Sequence, residues 1–317
     1  MLKIPATVDS LLEADLPKRP VHLAIGVFDG VHLGHQAVIE AAIQSAKRSD
    51  GISAVLTFDP HPSHLFRPND PTRLLMPKSA KEGFLHKLGV DLVIFQTFDA
   101  NFASIEAEDF PGYLQKCLPT LCAVYVGENF RFGKARRGDV DLLIQASREC
   151  GIDVISVQRI RENGEPISST RIREELSSGK IERVNALLGH RYSSSGKIQA
   201  GRKLGRTIGF PTVNLPWQPE LAPCYGVYCV KARLKGKDSA NWHTGVANYG
   251  VRPTVERGDS VMPLLEVHLL DEVSWQPDDE ITVIWEKFIR SEQKFAGIDD
   301  LKTQISKDRQ FAQDFFT

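Results

Sequence analysis

Apolar and polar positions in the first half of the chain alternate between two periods. Residues 21–28 form a nearly unbroken apolar run, the pattern of a strand buried on both faces. Residues 35–48 follow with Ala37, Val38, Ala41, Ala42 and Ala46 at helical spacing. The alternation continues with strands predicted at 52–58, 91–98, 122–126 and 153–158, and helices at 79–88, 107–117 and 139–150. Strands separated by helix-length crossovers require a parallel sheet covered on both faces. Ligands in such sheets bind beyond the carboxyl ends of the strands.

After about residue 185 the helical period disappears. Strands are predicted at 193–199, 226–234, 242–249, 264–270 and 281–288, parted by turn chemistry such as "KGKDSAN" and "VERGDS", and one helix closes the chain at 298–315. Successive strands without crossovers imply an antiparallel sheet, most economically closed as a small barrel. Two domains are therefore expected, 1–186 and 187–317, with the boundary inside the helix-like stretch 177–192.

Composition narrows the function more than the fold. The 317 residues are 42% hydrophobic and 25% charged, values of soluble globular chains long enough for two cores. A net charge of −1 excludes a general affinity for nucleic acid or anionic membrane, so any anion must be held by a local cluster. No apolar run approaches the ~20 residues that span a bilayer, and the start "MLKIPATVDS" lacks the features of a signal peptide. Five cysteines without a C-x-x-C pair read as reduced thiols in a cytoplasmic protein.

Against that balance, "GVFDGVHLGH" (26–35) packs three glycines, an aspartate and two histidines between a predicted strand and helix. Its histidines allow three readings: metal ligands, handlers of phosphate, or turn residues without chemistry. A second H-x-x-H, "HPSH" (His61, His64), favours metal, but no H-E-x-x-H and no nearby cysteine pair completes a shell. The phosphate reading has geometry behind it. Gly26 and Gly30 let the backbone approach an anion, and free N–H groups at the helix start near Gly34 point at it. His32 and His35 would then donate to oxygens whose charge grows as a phosphoanhydride breaks. In "ISSTRIR" (167–173), Ser168, Ser169 or Thr170 caps a helix whose first turn carries Arg171 and Arg173. Cations there are disfavoured unless an anion offsets them, which points to a docked polyphosphate. A solvated helix start is the alternative.

The two motifs together resemble the paired motif of nucleotidyltransferases that move AMP from ATP to a phosphate acceptor. "GVFDGVHLGHQ", "TFDPHP" and "GENFRFGKARRGD" make the chain similar to the bacterial bifunctional riboflavin kinase/FAD synthetases, over roughly residues 24–311. The resemblance implies an α/β + β fold: an N-terminal Rossmann-like nucleotidyltransferase domain with a parallel sheet, then a small antiparallel β-barrel with a terminal helix. It implies that His32 and His35 stabilise charge at the ATP α-phosphate while the FMN phosphate attacks, and that Arg173 holds the departing pyrophosphate. Gly26, Phe28, Asp29, Gly30, Gly34, Ser168, Ser169, Thr170 and Arg171 would complete the ATP contacts. Phe58, Pro60 and His61 of "TFDPHP" and Asn129 and Phe132 of "NFRFG" would meet the flavin. Many members carry aspartate where this chain has Asn129.

"GKIQAGRKLGRTIGFPTVN" (196–214) is glycine-rich and basic without being a P-loop, since Arg202-Lys203 replaces Lys-Ser/Thr and Pro211 prevents the helix that would have to follow. It resembles the riboflavin kinase motif built around "PTAN", here "PTVN". The likeness implies Mg²⁺ and ATP on Thr212 and Asn214, with Gly196, Gly201 and Lys203 beside the phosphates. It also implies Glu266 of "LLEVHLLD" as general base for the ribityl hydroxyl and Arg290 of "FIRSEQKF" at the flavin end. Leu265 and Val267 point away from Glu266, so periodicity alone does not decide which face Glu266 occupies. "DEVSWQPDDEI" departs from the family's Leu-Tyr-Gly-like turn, which borders the flavin pocket. ATP would be co-substrate throughout, with riboflavin, FMN and FAD as substrates and products. Two alternatives stay open: a nucleotidyltransferase for another phosphorylated acceptor with the barrel as a flavin-binding module, and a non-catalytic flavin sensor or store.

Overall fold

A computed structural model of the chain describes residues 5–201, 205, 209–236, 241–251 and 262–317. Lys203 and the stretches 237–240 and 252–261, which include "VERGDS" and part of "KGKDSAN", lie outside them. Two compact units result, Met1–Ser169 and Thr170–Thr317.

In the first unit six strands run parallel: β1 (Ala6–Val8), β2 (Val21–Ile25), β3 (Ile52–Phe58), β4 (Leu92–Gln96), β5 (Leu121–Gly127) and β6 (Asp153–Val157). Their order across the sheet is β1-β4-β3-β2-β5-β6. The helices are α1 (Leu33–Arg48), α2 (Ser63–Phe66), α3 (Lys78–Leu88), α4 (Ala100–Ala103), α5 (Phe110–Cys117) and α6 (Val140–Arg148). A two-residue-per-strand hairpin follows, β7 (Arg161–Glu162) with β8 (Glu165–Pro166). Apolar layers form on both faces of the sheet, which explains the unbroken apolar run of β2. Leu23 and Ile25 join Leu114 and Leu143 in one layer, while Ala24 joins Ile39, Ile43 and Leu85 in the other. The chain builds outward from β2 to β3 and β4, then returns to place β5 on the other side of β2. The strand order therefore reverses between β2 and β5, and in open sheets of this kind ligands bind beyond the carboxyl ends at such a reversal.

Helix α7 (Ser169–Ser177) starts at the last residue of the first unit; the second unit goes on with α8 (Ile181–Leu188), strands β9 (Ser193–Lys197), β10 (Val213–Pro216), β11 (Gly226–Leu234), β12 (His243–Val251), β13 (Pro263–Leu269) and β14 (Glu280–Ser291), and the helix α9 (Ile298–Phe316). The strands pair antiparallel in the order β10-β13-β12-β11-β14-β9. A bridge between Gln199 and Asn214 joins the two ends and nearly closes the ring. Inside lie Tyr228, Tyr249 and Trp285, fully buried, with the Tyr228 and Trp285 ring centroids 4.7 Å apart. On the outer face Val227, Cys229 and Val246 pack with Ala312 of α9.

Strand β14 runs three residues beyond the predicted 288, and two register shifts against β11 let one strand bend far enough to pair with both β11 and β9. Besides the two-residue strands β7 and β8, two strands among the described residues have no sequence prediction. β1 is a three-residue edge and β10 four residues ending in a proline, both too short to show a period.

Candidate active sites

The β2–α1 connection is a backbone device. Phe28, Gly30 and Val31 take φ of 48°, 75° and 40°, a left-handed excursion that a β-branched valine adopts only under constraint. Two donors hold the carbonyl of Val27 at its start: the Thr57 hydroxyl at 2.8 Å and the Lys81 ammonium at 3.0 Å. The Asp29 carboxylate turns inward and accepts from the Leu75 N–H at 3.0 Å. His32 is the N-cap of α1, its Nδ1 accepting from the His35 N–H at 3.3 Å, which places the ring proton on Nε2. The His32 and His35 rings stack with centroids 3.5 Å apart, and Phe28 meets His35 edge-on at 5.3 Å. His32 is 4% exposed.

This geometry redefines two of the glycines. A Cβ on Gly26 would stand 2.8 Å from the Phe28 ring and one on Gly34 3.1 Å from the His32 ring, so both seat the aromatic stack. Gly30 supplies a positive φ.

Ser169 joins the two phosphate motifs, its hydroxyl donating to the Asp29 carbonyl at 3.0 Å. Ser168 is half-buried beside it in sequence, while Thr170 is exposed, and Arg171 and Arg173 are half-buried on α7. Among the flavin candidates, Phe58 packs edge-on against Phe98 at 5.3 Å, at the end of β3. Pro60 is exposed, and His61 Nδ1 accepts from the Ser63 N–H at the start of α2, at 3.0 Å. Asn129 is exposed beyond the end of β5, whereas Phe132 gives its ring to the core against Phe110. His64 is exposed, and no group of three His, Cys, Asp or Glu side chains that could hold a metal ion occurs among the described residues.

Lys81 has no sequence signal. It sits on α3, 3% exposed, and burial lowers its amine below the usual lysine range, partly opposed by Asp29 and Asp59. One helical lysine among many is invisible to motif reading.

The barrel site is built by register. Asn214 pairs with Glu266, Glu266 with Asn248, Asn248 with Val227, and Val227 with Arg290. Directly opposed residues share a face, so one row across five strands carries these side chains outward. Leu265 and Val267, both 0% exposed, fill the barrel instead, which settles the face of Glu266. The row lines a cavity of about 690 Å³ together with Thr212, His268 and the α9 residues Leu301, Ile305 and Asp308. Trp275, Gln276 and Pro277 of the divergent turn also line it. Gly201 abuts the Asn214 amide so closely that a Cβ there would collide with it, and Gly196 does the same with Leu215. The glycines of "GKIQAG" thus seat neighbours. The Thr212 hydroxyl and the Asn214 amide offer hard oxygen donors, a set that suits Mg²⁺. Asn248 and Asp308, each a single polar residue in an ordinary element, were not legible beforehand.

Comparison with known proteins also finds two segments. A family model for FAD synthetase matches residues 15–171, and one for riboflavin kinase matches 188–316. The bifunctional riboflavin kinase/FMN adenylyltransferase of Escherichia coli (strain K12) is 38% identical over 99% of this chain and 98% of its own length. The Bacillus subtilis (strain 168) protein of the same description is 37% identical, over 93% and 92%. The crystal structure of a macrolide-efflux protein from Streptococcus pneumoniae shares the fold with a TM-score of 0.86 at 25% identity, covering 97% of this chain and 98% of that one. No helix among the described residues is long and apolar enough to cross a membrane.

Proposed function

The chain belongs to the bifunctional riboflavin kinase/FMN adenylyltransferase family, and we propose how its residues divide the work. It phosphorylates riboflavin to FMN and transfers the adenylyl group of ATP to FMN, giving FAD and pyrophosphate. In our reading the triphosphate of ATP lies over the N-terminus of α1, where backbone N–H groups converge. His32, through Nε2–H, and His35 stabilise the charge that builds at the α-phosphate during in-line attack. Ser168 and Ser169 serve the β- and γ-phosphates, and the end of β5 at Asn129 borders the flavin.

In the barrel, Thr212 and Asn214 hold Mg²⁺ and the phosphates of ATP; the ion, when bound, offsets the anionic charge of the triphosphate. Glu266 takes the proton from the ribityl hydroxyl, and Arg290 marks the flavin end. The observation that carries this reading is the row Asn214–Glu266–Asn248–Val227–Arg290, which brings phosphate, base and flavin candidates into one cavity. Five free cysteines fit work in the reducing cytoplasm.

A time course with riboflavin, ATP and Mg²⁺ tests the order of events. ADP and FMN should appear first, then pyrophosphate and FAD, and chelation of the metal should stop both. Formation of FMN at an undiminished rate without divalent metal would remove Thr212 and Asn214 from the proposed role.

A further inference from the structure

The Arg290 guanidinium has five N–H donors. Its Nε–H meets Asp308 at 3.0 Å (Oδ1) and 3.2 Å (Oδ2), and Nη2 donates to Asp308 Oδ2 at 2.7 Å. Nη1 donates to the Ser291 carbonyl at 3.0 Å. Gln304 donates to Asp308 Oδ1 at 2.9 Å, completing the carboxylate. Asp308 is 4% exposed, so the pair is fixed and largely desolvated. Two N–H groups, one on each terminal nitrogen, have no partner among the described residues, and both Arg290 and Asp308 line the kinase cavity.

Charge decides what those donors suit. A guanidinium cancelled by a buried carboxylate is a poor match for a triphosphate, which needs uncompensated positive charge. It is a good match for neutral acceptors, and the ring carbonyls of riboflavin are such acceptors. Leu301, Ile305 and Asp308 lie on one face of α9 at helical spacing and all line the cavity, so the terminal helix is a wall of the site.

We propose that Asp308 is a positioning residue for riboflavin, acting through Arg290 from the terminal helix. The proposal rests on Arg290 standing at the flavin end of the kinase site. Asp308→Asn, close to isosteric, should raise the kinase KM for riboflavin about tenfold or more, while the KM for ATP in the same reaction moves less than about twofold. A double-mutant cycle separates positioning from general support: in an Arg290→Met background, Asp308→Asn should add nothing to the riboflavin KM. An unchanged riboflavin KM in Asp308→Asn, an equal rise for ATP, or additive effects in the cycle would each overturn the proposal. If Asp308→Asn does not fold, the apolar exchange Arg290→Met with Asp308→Leu replaces it. A riboflavin KM raised to the level of Arg290→Met alone supports the proposal, and a wild-type KM overturns it. A wild-type chain that fails to phosphorylate riboflavin would instead overturn the site assignment beneath it.

Discussion

The two proposed sites would handle the phosphates of ATP with different materials. In the parallel domain the cradle is backbone: a left-handed turn between β2 and α1, capped by His32 and steadied by Thr57 and Lys81. On the barrel it is side chains, each from its own strand, aligned by register on an outer face that α9 covers. A backbone cradle has to be contiguous in sequence, whereas a register-built site has only to have matching strands. One is written as a motif and the other as scattered single letters.

The sharpest way to break the comparison is to cross the two sites. Glu266→Gln should lower FMN formation by roughly 10²–10⁴ while the same protein still converts supplied FMN to FAD. His32→Ala should lower FAD formation by roughly 10²–10³ and spare FMN formation. Steady-state rates of both half-reactions on each variant check this. Loss of both activities from either change would mean that the sites are not independent.

That contrast also explains what was legible. The strand at 52–58 was placed to the residue, and α1 within two, because long amphipathic or wholly apolar segments carry their own period. The turn of "GVFDGVHLGH" and the helix start of "ISSTRIR" were legible because turn chemistry is local, and Ser169 bonding to Asp29 joins them; their role toward phosphate is the proposal above. Asn248, Asp308 and Lys81 carried no such signal. Asn248 matters through the residue opposite it, Asp308 through an arginine on another strand, and Lys81 through a carbonyl 54 positions away. Pairing and packing create those relations, and no window of sequence contains them. Phe132 illustrates the reverse, since a motif position suited to a ligand gives its ring to the core.

Glycine substitutions sharpen the comparison at the next level of effect. Gly201→Ala drives a methyl into the Asn214 amide and should cut the kinase rate roughly tenfold to a hundredfold, because displacing a binding group by about 1 Å is costly. Gly26→Ala meets the Phe28 ring first, one step from His35, and should reduce FAD formation by about tenfold at most. Comparing kcat and KM for ATP in each half-reaction checks the ranking.

Lys81 tests whether the backbone cradle depends on charge. Lys81→Met should lower FAD formation about tenfold and leave FMN formation intact. The sign of the pH effect is fixed by burial, which lowers the amine from its ordinary value. Between the lowered folded value and the ordinary unfolded one, the folded chain binds fewer protons, so this group's contribution to stability rises with pH. The ammonium is lost over that same window, so FAD formation should fall as pH rises while stability gains from this site. Lys81→Arg, which stays charged, should lack the alkaline fall. Activity and thermal unfolding measured across alkaline pH distinguish the two trends.

Thr57→Val then isolates the remaining hydrogen bond. The hydroxyl and the ammonium share the Val27 carbonyl, at 2.8 and 3.0 Å. Removing the neutral donor leaves the charged one in place, and a net hydrogen bond is worth about 1 kcal/mol, which corresponds to about a fivefold change. FAD formation should therefore fall by about that much, less than in Lys81→Met, with the alkaline fall retained. If Thr57→Val proved as damaging as Lys81→Met, the turn would depend on the number of donors at Val27 rather than on buried charge. The contrast with the barrel would then rest on backbone geometry alone.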